Sequence, residues 1–337
     1  MKQPENALLS LLECPRDHSN LRVEGKHLTC AWGHKFPVVN AVPVFLLPDQ
    51  EQTIGSATES LKAAESEIGS PLYVNTLGIS ENHKRGVERD WILGSKVDPV
   101  VSYLIGATCG LGYVHLTGNL TTYPIPDIPI GSGDGELLLD VGSGWGRWSV
   151  SAARKGWRVI GIDPSLGAIL AAKRAFHGMG LDLSFVCGDA RFLPFKSEVF
   201  QCAFSYSVLQ HFSESDAEVA IAELGRVLRH GGFAKIQMAH KGGLRSYVPR
   251  NNANSGFARV KYWSLSSMHD VFIKQIGPTK LLAEAFGGLG LLPEDRKYVS
   301  AKARLLISIS RLLKKLSLFV HPLIRLADSV YVISVKQ

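Results

Sequence analysis

The chain has 337 residues, 45% hydrophobic and 20% charged, with a formal net charge of +7. Such a composition belongs to an ordinary globular protein of about two domains and excludes a disordered or low-complexity chain. No run reaches the roughly 18 apolar residues of a spanning helix, the N-terminus lacks a signal-peptide core, and five cysteines make no disulfide framework; a cytoplasmic setting is expected.

The first 48 residues form a separately patterned module, "LLECPRDHSNLRVEGKHLTCAWGHKFPVVNAVPVFL". Cys14 is followed four residues later by His18, and Cys30 by His34. Two thiolates and two imidazoles make a sound tetrahedral zinc set, and Asp17 could replace His18. The alternative is a metal-free module held by Phe36, Val38, Val42 and Phe45. The "CP…C…FP…VPVFL" order resembles short zinc-ribbon modules, which usually carry two cysteines per knuckle. Here Asp17 and Gly33 stand at the second positions. The resemblance implies a small β module with Cys14 and Cys30 as matching zinc ligands, and the spacing of this chain offers His18 and His34 as the other two.

Residues 49–135 begin as a polar, acidic linker running into a short helix. The remainder lacks clear periodicity and precedes the first strand of the next domain, where a substrate lid is expected. Residues 136–337 then alternate strand and helix. "LLLDV" is a buried strand, and "GRWSVSAARKG" a helix stopped at Gly156. "WRVIGID" is a strand, and "PSLGAILAAKRAF" a helix with Pro164 in its first turn. "LSFVCGD", "FQCAFSYS" and "FAKIQMA" add three strands, with the acidic-to-basic helix "SESDAEVAIAELGRVLRHGG" before the last. The pattern predicts a Rossmann-like, doubly wound α/β sheet.

Ligands bind such sheets outside the carboxyl ends of the strands, where Asp140, Gly142, Ser143, Gly144, Gly146, Asp163, Asp189 and Ser205 fall. Glycines at 142 and 144 admit a ligand close to the backbone. Asp163, 21 residues after Gly142, can accept two ribose hydroxyls, and Asp189 can meet an adenine amino group. A dinucleotide fingerprint needs a third glycine at 147, which is arginine.

The G-x-G-x-G spacing, with "GID" and "CGDARFLPF", resembles the class I S-adenosylmethionine-dependent methyltransferases over about residues 136–240. The resemblance implies a seven-stranded sheet with an antiparallel last strand, for which "DSVYVISVKQ" is suited. It implies that Asp140, Gly142, Ser143, Gly144 and Gly146 flank the methionine part of S-adenosylmethionine, that Asp163 holds the ribose, that Asp189, Ala190 and Phe192 surround the adenine, and that Ser205 borders the site.

"FSYSVLQHF" ends over that site. His211 is the candidate general base and Tyr206 a second candidate; each could instead pack or cap. Cys202 lies inside a strand and reads as a small buried hydrophobe. After "IQMAH" comes a segment with Arg245, Tyr247, Arg250, Arg259, Tyr262 and Trp263, suited to a phosphate or sugar, or an ordinary loop before a helix capped at Ser264 or Ser266.

Residues 241–337 carry 16 basic and 5 acidic groups. Within them, 302–326 place Leu305, Ile309, Leu312, Leu316 and Phe319 at helical spacing. This insertion either packs on the sheet as core or lies peripherally on an anionic membrane. The preferred acceptor is a small molecule, saccharide or lipid-linked intermediate. RNA, favoured by the basic segment, is the runner-up, followed by a non-catalytic cofactor-binding or partner-activating role.

Overall fold

A computed structural model describes residues 3–66, 71–109, 111–177, 179–247, 260–287 and 292–337. A one-turn helix α1 (Asn6–Leu9) leads into β1 (Leu21–Glu24), β2 (His27–Cys30), β3 (Lys35–Val39) and β4 (Val42–Pro43). These pair as consecutive antiparallel strands. The module docks on the main sheet: Leu12 bridges Phe195, Val44 bridges Cys187, and the Phe45 amide donates to the Cys187 carbonyl at 2.7 Å.

Helices α2 (Gly55–Glu65), α3 (Glu81–Leu93) and α4 (Pro99–Thr108) occupy the segment expected to form a lid. α4 is buried along nearly its whole length, which explains its lack of a polar–apolar period. The segment satisfies the N-terminus of a helix in the main domain. The Ser60 hydroxyl accepts from Leu166 N at 2.9 Å, and the Thr76 hydroxyl from Gly167 N at 2.8 Å. Those are orphan amides that a helix start must place somewhere.

The main domain runs β5 (Leu137–Val141), α5 (Arg147–Ala153), β6 (Arg158–Asp163), α6 (Leu166–Phe176), β7 (Leu183–Cys187), β8 (Phe200–Tyr206), α7 (Glu214–Val227), β9 (Leu228–Ala239), α8 (Leu265–Gln275), β10 (Thr279–Ala285), α9 (Ala301–Leu316) and β11 (Ser329–Val335). The sheet order is β10-β11-β9-β8-β5-β6-β7. β5 to β9 are parallel; β11 is antiparallel to both β9 and β10. This is the expected seven-stranded Rossmann-like sheet with an antiparallel last strand. Reversal of winding between β5 and β8 opens the ligand crevice at their carboxyl ends. α8 is capped by Ser264, whose hydroxyl accepts from Ser267 N.

α9 departs from the core reading. Leu305, Ile309, Leu312 and Leu316 face solvent, as does Phe319 beyond the helix. The helix is anchored instead by Ile307, Ser310 and Lys314. No helix among the described residues is long and apolar enough to cross a membrane.

Candidate active site

The loop after β5 is held by backbone and carboxylate together. Gly142 N and Ser143 N both donate to Ile162 O, at 2.8 and 3.1 Å. Gly144 N donates to Asp163 Oδ2 at 3.0 Å, and Ser165 N to Asp163 Oδ1 at 2.9 Å. Each carboxylate oxygen retains a lone pair for a ribose hydroxyl.

All three glycines have positive φ, at 72°, 51° and 82°, but they serve different ends. A Cβ at 142 would come 2.2 Å from Val208 Cγ2, in the loop after β8. A Cβ at 146 would press on Ala172, Phe176 and Phe185. Gly142 and Gly146 therefore permit close packing of this chain's own side chains. Gly144 alone faces space in which a Cβ would meet nothing within 4 Å. Beside it the Ser143 hydroxyl is buried without a hydrogen-bond partner among the described residues, an acceptor and donor that a ligand can satisfy.

Asp140 is 1% exposed and accepts from Ser149 Oγ at 2.6 Å. Burial pushes its carboxyl up to about 7, against the Ser149 bonds and with the Asp163 charge adding. Burial likewise raises Asp163 to about 6, opposed by the Ser165 and Gly144 amides. Both values lie above the roughly 4 of an unfolded-chain aspartate. Between these limits the native state holds protons that the unfolded chain has released, so stability falls as pH rises. Stability of the wild type should decline more steeply than that of Asp140→Asn between about pH 4 and pH 7, by a few kcal/mol. Parallel profiles would contradict it.

At the adenine end the carboxylate of Asp189 is already engaged. It accepts from Arg191 N at 2.9 Å and from the Arg191 guanidinium at 2.8 Å. The guanidinium continues to Asp216 at 2.8 Å and to the Glu51 carbonyl, just past the N-terminal module, at 2.6 Å. Ala190 is buried and Phe192 partly buried at the same turn, with Arg191 over the Phe192 ring at 5.3 Å. Asp189 thus fastens this turn through Arg191.

The Ser205 hydroxyl donates to Val141 O at 2.9 Å and is fully buried between strands. Tyr206 packs against Trp148, with ring centroids 4.8 Å apart, and Tyr331, at 6.3 Å. Burial drives its phenol far above the ordinary range, so it stays protonated at neutral pH. It packs against the aromatic core at the end of β8. His211 lies in the 3₁₀ turn Leu209–His211, directly after the Val208 that covers Gly142. Cys202 is fully buried, as read. Arg250 and Arg259 lie outside the described residues.

Sequence reasoning missed a buried cation beside these rings. Arg147 is 8% exposed, and its guanidinium donates to Tyr113 Oη at 2.7 Å, Asp295 Oδ1 at 3.2 Å and the Pro124 carbonyl at 3.1 Å. It also lies over the rings of Tyr113 and Trp148, at 5.1 and 5.8 Å. Its signal was present as the residue that broke the dinucleotide fingerprint.

In the N-terminal module the structure gathers Cys14, Asp17, Cys30 and His34, whose ligand atoms all lie within 4.8 Å of one another. His18 is not among them. It has φ of 57°, which turns its ring outward, where it meets Glu13 at 2.6 Å. Asp17 takes its place. A tetrahedral zinc with sulfur at about 2.3 Å and nitrogen or oxygen at about 2.0 Å sets donor separations of roughly 3.3–3.8 Å. Cys14–His34 at 3.5 Å, Cys30–His34 at 3.4 Å and Cys30–Asp17 at 3.4 Å fit; Asp17–His34 at 2.8 Å is a hydrogen bond, shorter than such an edge. The donor set fits zinc.

Residues 138–232 match the family described as methyltransferase domain. This segment is a class I, S-adenosylmethionine-dependent methyltransferase domain. Demethylmenaquinone methyltransferase of Thermobifida fusca is 37% identical over 99 residues, 29% of this chain and 41% of that protein. The biotin biosynthesis bifunctional protein BioHC of Cellvibrio japonicus is 36% identical over 111 residues, 33% of this chain and 21% of that one. Ubiquinone biosynthesis O-methyltransferase of Brucella anthropi is 29% identical over 160 residues, 47% and 62% of the two chains. The chain spans less than two thirds of each of these relatives.

Proposed function

We propose that the chain transfers a methyl group from S-adenosylmethionine to a small, ring-bearing or lipid-linked acceptor on oxygen, nitrogen or carbon. The observation that carries this reading is the loop after β5, where the Asp163 carboxylate keeps lone pairs for a ribose beside the open space at Gly144. Trp148, Tyr206 and Tyr331 pack together beside the buried Arg147 as an aromatic part of the core at the carboxyl end of β8. The relatives named for demethylmenaquinone and ubiquinone biosynthesis support the same acceptor class.

The reacting methyl is already activated on sulfonium, so the domain has to align the acceptor and exclude water. Asp163 and Gly144 hold the nucleoside, the Ser143 hydroxyl meets its polar tail, and Val208 closes the loop. Where the acceptor is a hydroxyl, His211 takes its proton. RNA is the second reading, favoured by the excess of 16 basic over 5 acidic residues in 241–337. Incorporation of labelled methyl groups into separated lipid, small-molecule, saccharide and RNA pools tests both. Label in lipid or small molecules supports the first; label in RNA alone replaces it with the second. Binding without turnover on any pool points to a non-catalytic or partner-activating role.

The N-terminal module holds one structural zinc on Cys14, Asp17, Cys30 and His34. The cation ties the two knuckles together and takes no part in transfer. Without it, burial pushes the Cys14 thiol up to about 12. Metal analysis of purified protein should find one zinc per chain, and Cys30→Ser should lose it and melt earlier. A zinc-free wild type whose melting ignores added zinc would contradict this.

A further inference from the structure

The surface of α9 has the anatomy of a helix that lies in a membrane interface. With about 100° of turn per residue, Leu305, Ile309, Leu312 and Leu316 fall within an arc of roughly 60°. This stripe faces solvent: Leu305 is 61% exposed and Leu312 58%. The side that touches the protein is a different one. It carries Ile307, Ser310, whose hydroxyl accepts from Phe286 N at 2.9 Å, and Lys314, which pairs with Glu284. The apolar stripe is therefore a third face, neither needed for packing nor covered by the described residues. Leu318, Phe319 and Val320 extend it beyond the helix, with Phe319 85% exposed.

Charge identifies what covers it. Arg304, Arg311 and Lys315 lie in an arc of roughly 40° beside the stripe, and all three are exposed. Lys302 stands on the other flank and Arg325 in the turn that follows. From Ala301 to Ala327 there is no acidic residue. A second copy of this chain would bring the same cations against one another, which disfavours a self-interface. A nucleic acid would engage the basic residues and leave the leucines bare. An apolar stripe rimmed by cations matches one surface on both counts, a bilayer with anionic headgroups.

We infer that residues 302–326 dock the protein peripherally on an anionic membrane, with the Leu305–Leu316 stripe and Phe319 entering the acyl boundary and Arg304, Arg311 and Lys315 meeting the headgroups. α9 starts just after the turn that carries Asp295, partner of Arg147, and Tyr298, whose ring lies 6.0 Å from that of Tyr113.

Cosedimentation with vesicles reads this without cofactor or turnover, so its failure is separate from any failure of the methyltransferase reading. The full chain should bind vesicles containing phosphatidylglycerol at least tenfold more tightly than pure phosphatidylcholine vesicles, as expected of about 1 kcal/mol per basic residue near an anionic surface. The pair Leu312→Ser and Phe319→Ser should abolish binding with melting unchanged, since both side chains are exposed. Replacing Arg304, Arg311 and Lys315 by Gln should remove the anionic preference. Three results overturn the inference: no preference for anionic vesicles, binding indifferent to the Ser pair, or concentration-dependent dimerisation that the Ser pair abolishes.

Discussion

Asp163→Ala should weaken S-adenosylmethionine binding by more than about a hundredfold while leaving a folded protein, as titration calorimetry and circular dichroism would report. Two consequences add. The ribose loses two hydrogen bonds to a charged acceptor, each contributing about 1.5–3 kcal/mol, and about 1.4 kcal/mol is tenfold in affinity. The glycine loop also loses its tether, because Asp163 accepts from Gly144 N and Ser165 N. Asp163→Asn retains the shape and one carbonyl acceptor, so its loss should be intermediate. An Ala variant that binds the cofactor within threefold of wild type would remove Asp163 from the site.

Arg147→Met should destabilise the fold by about 3–5 kcal/mol, because removing one partner of a buried ion pair leaves the other uncompensated. Arg147 meets Asp295, which is 1% exposed and whose second oxygen accepts from Leu292 N at 2.6 Å. The loss should depend on pH. Burial pushes the Asp295 carboxyl up to about 7, so at low pH the stranded group is neutral and its penalty small. Through neutrality it ionises and the penalty grows. Urea denaturation should therefore separate variant and wild type further at pH 8 than at pH 6, and adding Asp295→Asn should recover part of the difference. Equal separation at both pH values would show that Asp295 does not depend on Arg147.

The methyltransferase domain was legible because its strands are short apolar runs closed by Gly or Asp, a local signal. β10 was not read: "TKLLAEA" mixes charge with apolar residues and owes its place to pairing with β11. α4 went unread for the opposite reason, being buried on nearly every side. In α9 the apolar period was visible, but a period shows only that a helix has an apolar face and says nothing of what covers it. His18 was chosen over Asp17 by spacing, whereas a single left-handed residue decides which side chain turns inward. Arg147 was noticed only as a missing glycine; that it is buried under two rings depends on Tyr113 and Asp295, far away in sequence.

Competitive binding tests the central claim most directly, that the loop of Gly144 and Asp163 takes a sulfonium nucleoside rather than a dinucleotide. Labelled S-adenosylmethionine should saturate one site per chain and be displaced by S-adenosylhomocysteine but not by NAD. Displacement by NAD, or no saturable binding, would contradict the account.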